Sequence, residues 1–181
     1  MAASYTGHAA NGGSLEARIV VYKGQRMALV RLSGAIGLPP GFSASQFINS
    51  LSRLRDYDVL YTVLDSSGGS ALDALLIYDF LTKGPVRKRE SLVLITTECS
   101  GDAILIGLGF QQILMQPQSY VRFHAVEPSK PPTARRVTKL IADLVARRSG
   151  CRIDDVFGWM DKKEKLTAEE CLKLSLCDAI V

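Results

Sequence analysis

An apolar run, Val59-Leu60-Tyr61-Thr62-Val63-Leu64, ends in Asp65-Ser66-Ser67-Gly68-Gly69-Ser70 and passes directly into Ala71-Leu72-Asp73-Ala74-Leu75-Leu76-Ile77-Tyr78-Asp79. A short apolar run closed by glycines reads as a buried strand, and the longer run after it as a helix. This junction constrains the chain more than any other feature. Adjacent glycines let the backbone approach a neighbour or ligand without a Cβ. The helix that follows starts with free N–H groups at partial positive charge. Such a corner can hold an oxyanion, although the same pattern also binds phosphate or merely turns the chain.

A second corner follows thirty residues later. Leu92-Val93-Leu94-Ile95-Thr96-Thr97 reads as another buried strand, and Glu98-Cys99-Ser100-Gly101-Asp102-Ala103 leads into Ile104-Leu105-Ile106-Gly107-Leu108-Gly109. Ser100 therefore stands at a strand-to-helix junction. Beyond two short segments, Ile113-Leu114-Met115-Gln116-Pro117 and Tyr120-Val121-Arg122-Phe123, comes His124, one of two histidines in the chain. A nucleophile, a base and oxyanion donors are all present in this order.

The order of these motifs resembles the Clp protease proteolytic subunit and its relatives, the signal peptide peptidases and phage prohead proteases, over roughly residues 27–181. The resemblance implies a ClpP/crotonase-like α/β fold, a mainly parallel sheet of repeated ββα units flanked by helices. It implies a serine endopeptidase with Ser100 as nucleophile and His124 as general base. The oxyanion donors would be the amides of Gly68, Gly69 and Gly101. The ending Leu166-Thr167-Ala168-Glu169-Glu170-Cys171-Leu172-Lys173-Leu174-Ser175-Leu176-Cys177-Asp178-Ala179-Ile180 looks like the family's closing helix and strand, with Ser175 in place of a glycine.

Three departures stand beside these matches. Glu98, Cys99 and Asp102 replace the small residues that flank the family's nucleophile, and acids beside a developing anion oppose catalysis unless they point away. The family's orienting aspartate falls on Lys163, so Asp161 is the expected third member of the triad, with Glu164 the alternative. Cys99, beside Ser100, is a second candidate nucleophile. The stretch 124–150 is shorter than the Clp subunit's handle helix, so stacking of two rings is not implied, and the phage and signal-peptidase branches fit better.

The resemblance further implies self-assembly into a ring or dome, a peptide or protein substrate, and an unfoldase or phage assembly partner. Two rival readings remain: a catalytically inactive ClpP-like subunit or assembly scaffold, and acyl-CoA chemistry on the same fold. For the latter, no CoA-binding features are recognisable.

Composition narrows the classes. At 181 residues with 47% hydrophobic content, the chain suits one domain with a full core, expected over 15–181. The net charge of +4 is carried by scattered basic runs without interleaved aromatics, which argues against nucleic acid. Cys99, Cys151, Cys171 and Cys177 show no metal-ligand spacing, and no secretory leader or membrane-length apolar run is seen. No metal or cofactor is expected, and a cytoplasmic setting is.

Residues 1–14, rich in Ala, Gly and Ser and containing His8, read as a disordered N-terminal segment or a cloning remnant. A hairpin is expected around Lys23-Gly24-Gln25, and a helix from Ser43 or Ser45 through Arg55 with Phe47, Leu51 and Leu54 on one face. The pattern predicts a helix between Thr133 and Ser149, ended by Gly150, whose stripe Val137, Leu140, Ile141, Leu144 and Val145 packs on the sheet or on another subunit. A short helix is expected from Asp154 to Met160, with Trp159 as a packing residue, and a capping box at Thr167-Ala168-Glu169-Glu170 opens the last one.

Overall fold

The computed structural model describes residues 4–8, 14–124 and 131–181. The chain begins with three antiparallel strands, β1 (Ser4–His8), β2 (Ser14–Tyr22) and β3 (Gln25–Ser33). The β2–β3 turn is the expected hairpin, with Lys23 and Gly24 both at positive φ. Within the stretch 1–14, read from sequence as disordered or a cloning remnant, the described residues Ser4–His8 pair with β2, Ser4 opposite Arg18 and His8 opposite Ser14; residues 1–3 and 9–13 lie outside the described residues. The open edge of β2 supplies the unpaired amides and carbonyls that a further strand can satisfy.

Two short strands, β4 (Ala35–Ile36) and β5 (Gly41–Phe42), pair with each other and lead into α1 (Ala44–Arg53). Ser43 starts α1 with a reciprocal capping box to Gln46, and Phe47 and Leu51 form its buried face with Ala44 and Ser50. The core strand β6 (Val59–Ser66) then runs parallel to β3, and α2 (Ala71–Lys83) returns across the sheet with Ser70 as its cap. Phe47 of α1 meets Phe80 of α2 edge-on, ring centroids 6.2 Å apart.

Strand β7 (Glu90–Ser100) lies parallel to β6 and is followed by α3 (Ala103–Leu108), β8 (Gln112–Met115) and β9 (Tyr120–Arg122). The helix α4 (Pro132–Ser149) ends at Gly150 in the left-handed conformation, as its sequence predicts. Val137, Ile141 and Val145 are buried, and α4 packs on α2 and α3 as well as on α5 (Ile153–Asp161). Packing within the domain thus buries these three, while Leu140 and Leu144 of the same stripe are only partly buried. The chain closes with β10 (Lys165–Thr167), α6 (Ala168–Lys173) and β11 (Ala179–Ile180).

Among the described residues nine strands form one sheet, with the path β1-β2-β3-β6-β7-β8-β11; β9 joins β7 and carries β10 on its other side. All pairings from β3 to β11 along that path are parallel, so the crossovers through helices follow from the alternating strand–helix pattern. The core lies on both faces of this sheet, with Val30, Leu32, Leu60, Leu64 and Val93 fully buried. Ser175, where the closing motif lacks its glycine, has φ +56°, the left-handed region that a glycine occupies without cost. No helix among the described residues is long and apolar enough to cross a membrane.

Candidate active site

The site is built where β7 changes partners. Its first half, Leu92 to Ile95, pairs with β8, while Glu98, Cys99 and Ser100 pair with Tyr120, Val121 and Arg122 of β9. On the other side the register against β6 slips, with Leu64 opposite Ile95 but Ser66 opposite Cys99. Three residues of β7 thereby stand against Asp65 alone. This bulge bends the strand end away from β8. Asp65 stabilises it by accepting the Glu98 N–H on Oδ1 at 3.1 Å.

The two glycine-bearing corners meet directly. A Cβ placed on Gly68 would lie 2.8 Å from the Ser100 carbonyl oxygen and 3.2 Å from the Asp102 nitrogen. Gly68, at φ +97°, therefore fits only as glycine. Its neighbour Gly69 packs equally closely on Ile36, where the Ile36 N–H donates to the Gly68 carbonyl and the Ser70 N–H to the Ile36 carbonyl. Ser66 ties the corner down, its hydroxyl donating to the Gly34 carbonyl at 2.7 Å and accepting the Gly68 N–H at 3.2 Å.

On the far side of Ser100 lies His124. A Cβ built on Gly101 would come within 2.6 Å of His124 Nδ1, so the imidazole rests against the bare Cα of Gly101. The ring is exposed and borders a small cleft lined by Gly101, Asp102, Phe123, Thr138, Ile141 and Met160. Phe123, fully buried before it, stacks on Trp159 with ring centroids 5.7 Å apart, which gives Trp159 its expected packing role. The Phe123 N–H donates to the Glu164 carbonyl at 2.9 Å, and the Glu164 N–H to the Trp159 carbonyl at 2.8 Å. The turn after α5 is thus fastened beneath the strand that presents His124.

Ser100, Gly68 and Gly101 come together with His124, but the hydrogen bonds differ from those expected. Ser100 is 0% exposed and its hydroxyl donates to Glu98 Oε1 at 2.5 Å. The Gly101 N–H donates to the Arg122 carbonyl at 3.1 Å, and that of Gly68 to Ser66, so both are already engaged. Of the three amides, that of Gly69 has no acceptor among the described residues.

Asp161 ends α5 exposed, and its carboxylate has no hydrogen bond or ion pair among the described residues. Glu164 is half-buried and joined to Phe123 through its backbone; Lys163, in the family's aspartate position, is exposed at φ +52°. The alternative nucleophile Cys99 is 1% exposed, and burial pushes its thiol far above the ordinary range, with Cys171, Glu98 and Asp65 adding to the rise. A thiol so placed stays protonated.

Glu98 and Asp65 are the partners at this corner that motif order did not supply. The signal was present: alternate residues of a strand share a face, so Glu98 and Ser100 project together. Tyr120, opposite Glu98 on β9, has its phenol raised by burial and then by the Glu98 charge. The Tyr120 ring carries Lys165 Nζ 3.8 Å from its centroid and the Arg122 guanidinium at 5.4 Å. Two cations therefore flank the ring that stands opposite Glu98. Among the described residues no three His, Cys, Asp or Glu side chains are grouped to hold a metal ion.

No protein-family model matches this sequence, and no curated protein does. Among solved structures the chain is similar to a ClpP1 mutant from Listeria monocytogenes, with a TM-score of 0.68 at 18% identity, over 84% of this chain and 90% of that one. At that identity the likeness establishes the fold, a ClpP-like α/β architecture with a mainly parallel sheet flanked by helices.

Proposed function

We propose that this ClpP-like fold carries a serine peptidase in which Ser100 is the nucleophile and His124 the general base. The observation that supports it most is the sandwich at the second corner: the Ser100-Gly101 backbone is gripped between Gly68 on one side and the His124 imidazole on the other. The Ser100-Gly101 backbone, the imidazole and the glycine corner then meet at the carboxyl ends of parallel strands, where α/β folds place their chemistry.

In the reaction, the Ser100 Oγ–H bond gives its proton to His124 as Oγ bonds to the substrate carbonyl carbon. The tetrahedral oxyanion is held by the Gly69 N–H, joined by those of Gly68 and Gly101 once they exchange their present acceptors. Collapse breaks the C–N bond, and the imidazolium returns its proton to the departing amine. Water then repeats the sequence on the acyl-enzyme, which releases the acid and restores Ser100. The orienting acid comes from the turn that carries Asp161 and Glu164, the segment whose backbone is bonded to Phe123. The same reading carries self-assembly, a peptide or protein substrate and a cytoplasmic setting, with an unfoldase or phage assembly factor as further partner.

The test is intact-mass spectrometry after treatment with a fluorophosphonate, on wild type, Ser100→Ala and His124→Ala. A single adduct on wild type that both substitutions abolish supports the mechanism. An adduct that survives Ser100→Ala overturns the assignment of the nucleophile; none at all in folded protein favours the inactive-subunit reading.

A further inference from the structure

We propose that Glu98 is a latch on Ser100, holding the hydroxyl in a resting position from which it must be released before it can attack. The inference rests on the reading of Ser100 as nucleophile and adds the device that controls it. The Oγ–Oε1 separation of 2.5 Å lies in the range of hydroxyl–carboxylate bonds, which are among the strong ones. Ser100 has no exposed surface in this arrangement, so no substrate carbonyl can reach its Oγ.

The backbone that presents the carboxylate is fixed. Glu98 sits in the bulge, its N–H fixed to Asp65 Oδ1, and alternation along β7 aims its side chain along the same face as that of Ser100. The Gly101 amide is closed at the same time, bonded to the Arg122 carbonyl across the β7–β9 pairing. Nucleophile and one oxyanion donor are thus both satisfied internally by neighbouring contacts.

Chemistry favours a latch over a base. A carboxylate is a far weaker proton acceptor than imidazole for a serine hydroxyl. It also opposes the negative charge that develops on the substrate oxygen. Withdrawing Glu98 therefore frees the hydroxyl and removes a repulsive charge, two effects of the same sign. Arg122 and Lys165 stand over the ring of Tyr120, the residue opposite Glu98, and a carboxylate withdrawn from Ser100 on that side moves toward positive charge.

The experiment measures the rate of fluorophosphonate adduct formation at Ser100 in the full chain, for wild type, Glu98→Gln and Glu98→Ala, with Ser100→Ala as the blank and thermal melts to establish folding. Glutamine keeps the volume and a neutral acceptor, whereas alanine removes the acceptor. The expected order is wild type slowest, Gln faster and Ala fastest, with Ala ahead of wild type by roughly 10- to 100-fold, the factor that loss of a charged hydrogen bond represents. A purely structural role for Glu98 moves the melting temperature without producing this order. Rates for both variants at or below wild type, with the adduct still lost in Ser100→Ala, overturn the latch and leave the nucleophile standing. Absence of any adduct in all the folded proteins overturns both.

Discussion

Gly101→Ala separates the chemistry of the site from the stability of the fold. Gly101 has φ +53°, where a residue with a Cβ is strained by about 1–2 kcal/mol. In a chain of this length each kcal/mol moves the melting temperature by roughly 2–4 °C, so the expected fall is about 2–8 °C, readable by calorimetry. The new methyl would also lie 2.6 Å from His124 Nδ1, and ordinary contact begins at 3.4 Å. The exposed ring must therefore retreat by the difference, about 0.8 Å. A displacement of that size in a reacting group costs on the order of 100-fold in rate. Expected, then, are a modest loss of stability and a large loss of fluorophosphonate labelling. Gly68→Ala is the contrast: its methyl meets the Ser100 and Asp102 backbone, which has no room to withdraw, so the fold itself should suffer more. Unchanged labelling in folded Gly101→Ala, despite the fall in melting temperature, would refute the claim that the imidazole at this contact serves Ser100.

Ser175→Gly should stabilise the chain by about 1 kcal/mol, because Ser175 pays for a left-handed backbone that glycine adopts freely; a denaturant midpoint comparison checks it. Phe47→Ala removes a fully buried ring from the α1–α2 contact and should cost about 3–5 kcal/mol in the same assay. Burial pushes the Cys171 thiol up to about 12 from an ordinary 9.0, and Cys99 moves the same way. The unfolded chain releases these protons first, so their contribution is intact below pH 9.0 and is lost as pH rises from there to about 12. Melting temperature should fall over that window, and less steeply in Cys171→Ala; equal slopes in the two proteins would sink the argument.

The alternation of strand and helix made the parallel sheet legible, because burial on both faces leaves a continuous apolar run such as 59–64 or 92–97. Capping was equally readable: Thr167 and Glu170 exchange their bonds as their spacing dictates, and the Thr167 N–H holds the Glu170 carboxyl below its ordinary range. The fine structure of the site was not. Glu98 reads in sequence as an acid beside a serine, but whether it turns away or binds depends on a bulge set by the distant Asp65. Likewise Gly101 announces a positive φ without revealing that its amide is taken by Arg122, a partner brought in by the β7–β9 pairing. For Asp161, counting along the chain gave a position near the closing motif, but not that it ends a helix two residues before a left-handed Lys163.

The exchange of neighbours along β7 divides one strand into two storeys with separate duties. The lower storey, between β6 and β8, is sealed into the hydrophobic interior, where most substitutions are punished through packing. The upper storey leans on β9, a three-residue strand whose other side is occupied by the equally short β10. Cys99, Ser100 and Val121 are buried there too, but the residues just before them are not. Residues 96–98 are only half-buried or exposed, so a polar exchange there changes the surroundings of Ser100 at little cost to the packing of the sheet below. A strand divided in this way lets the surroundings of one hydroxyl change while the layer beneath it stays as it is.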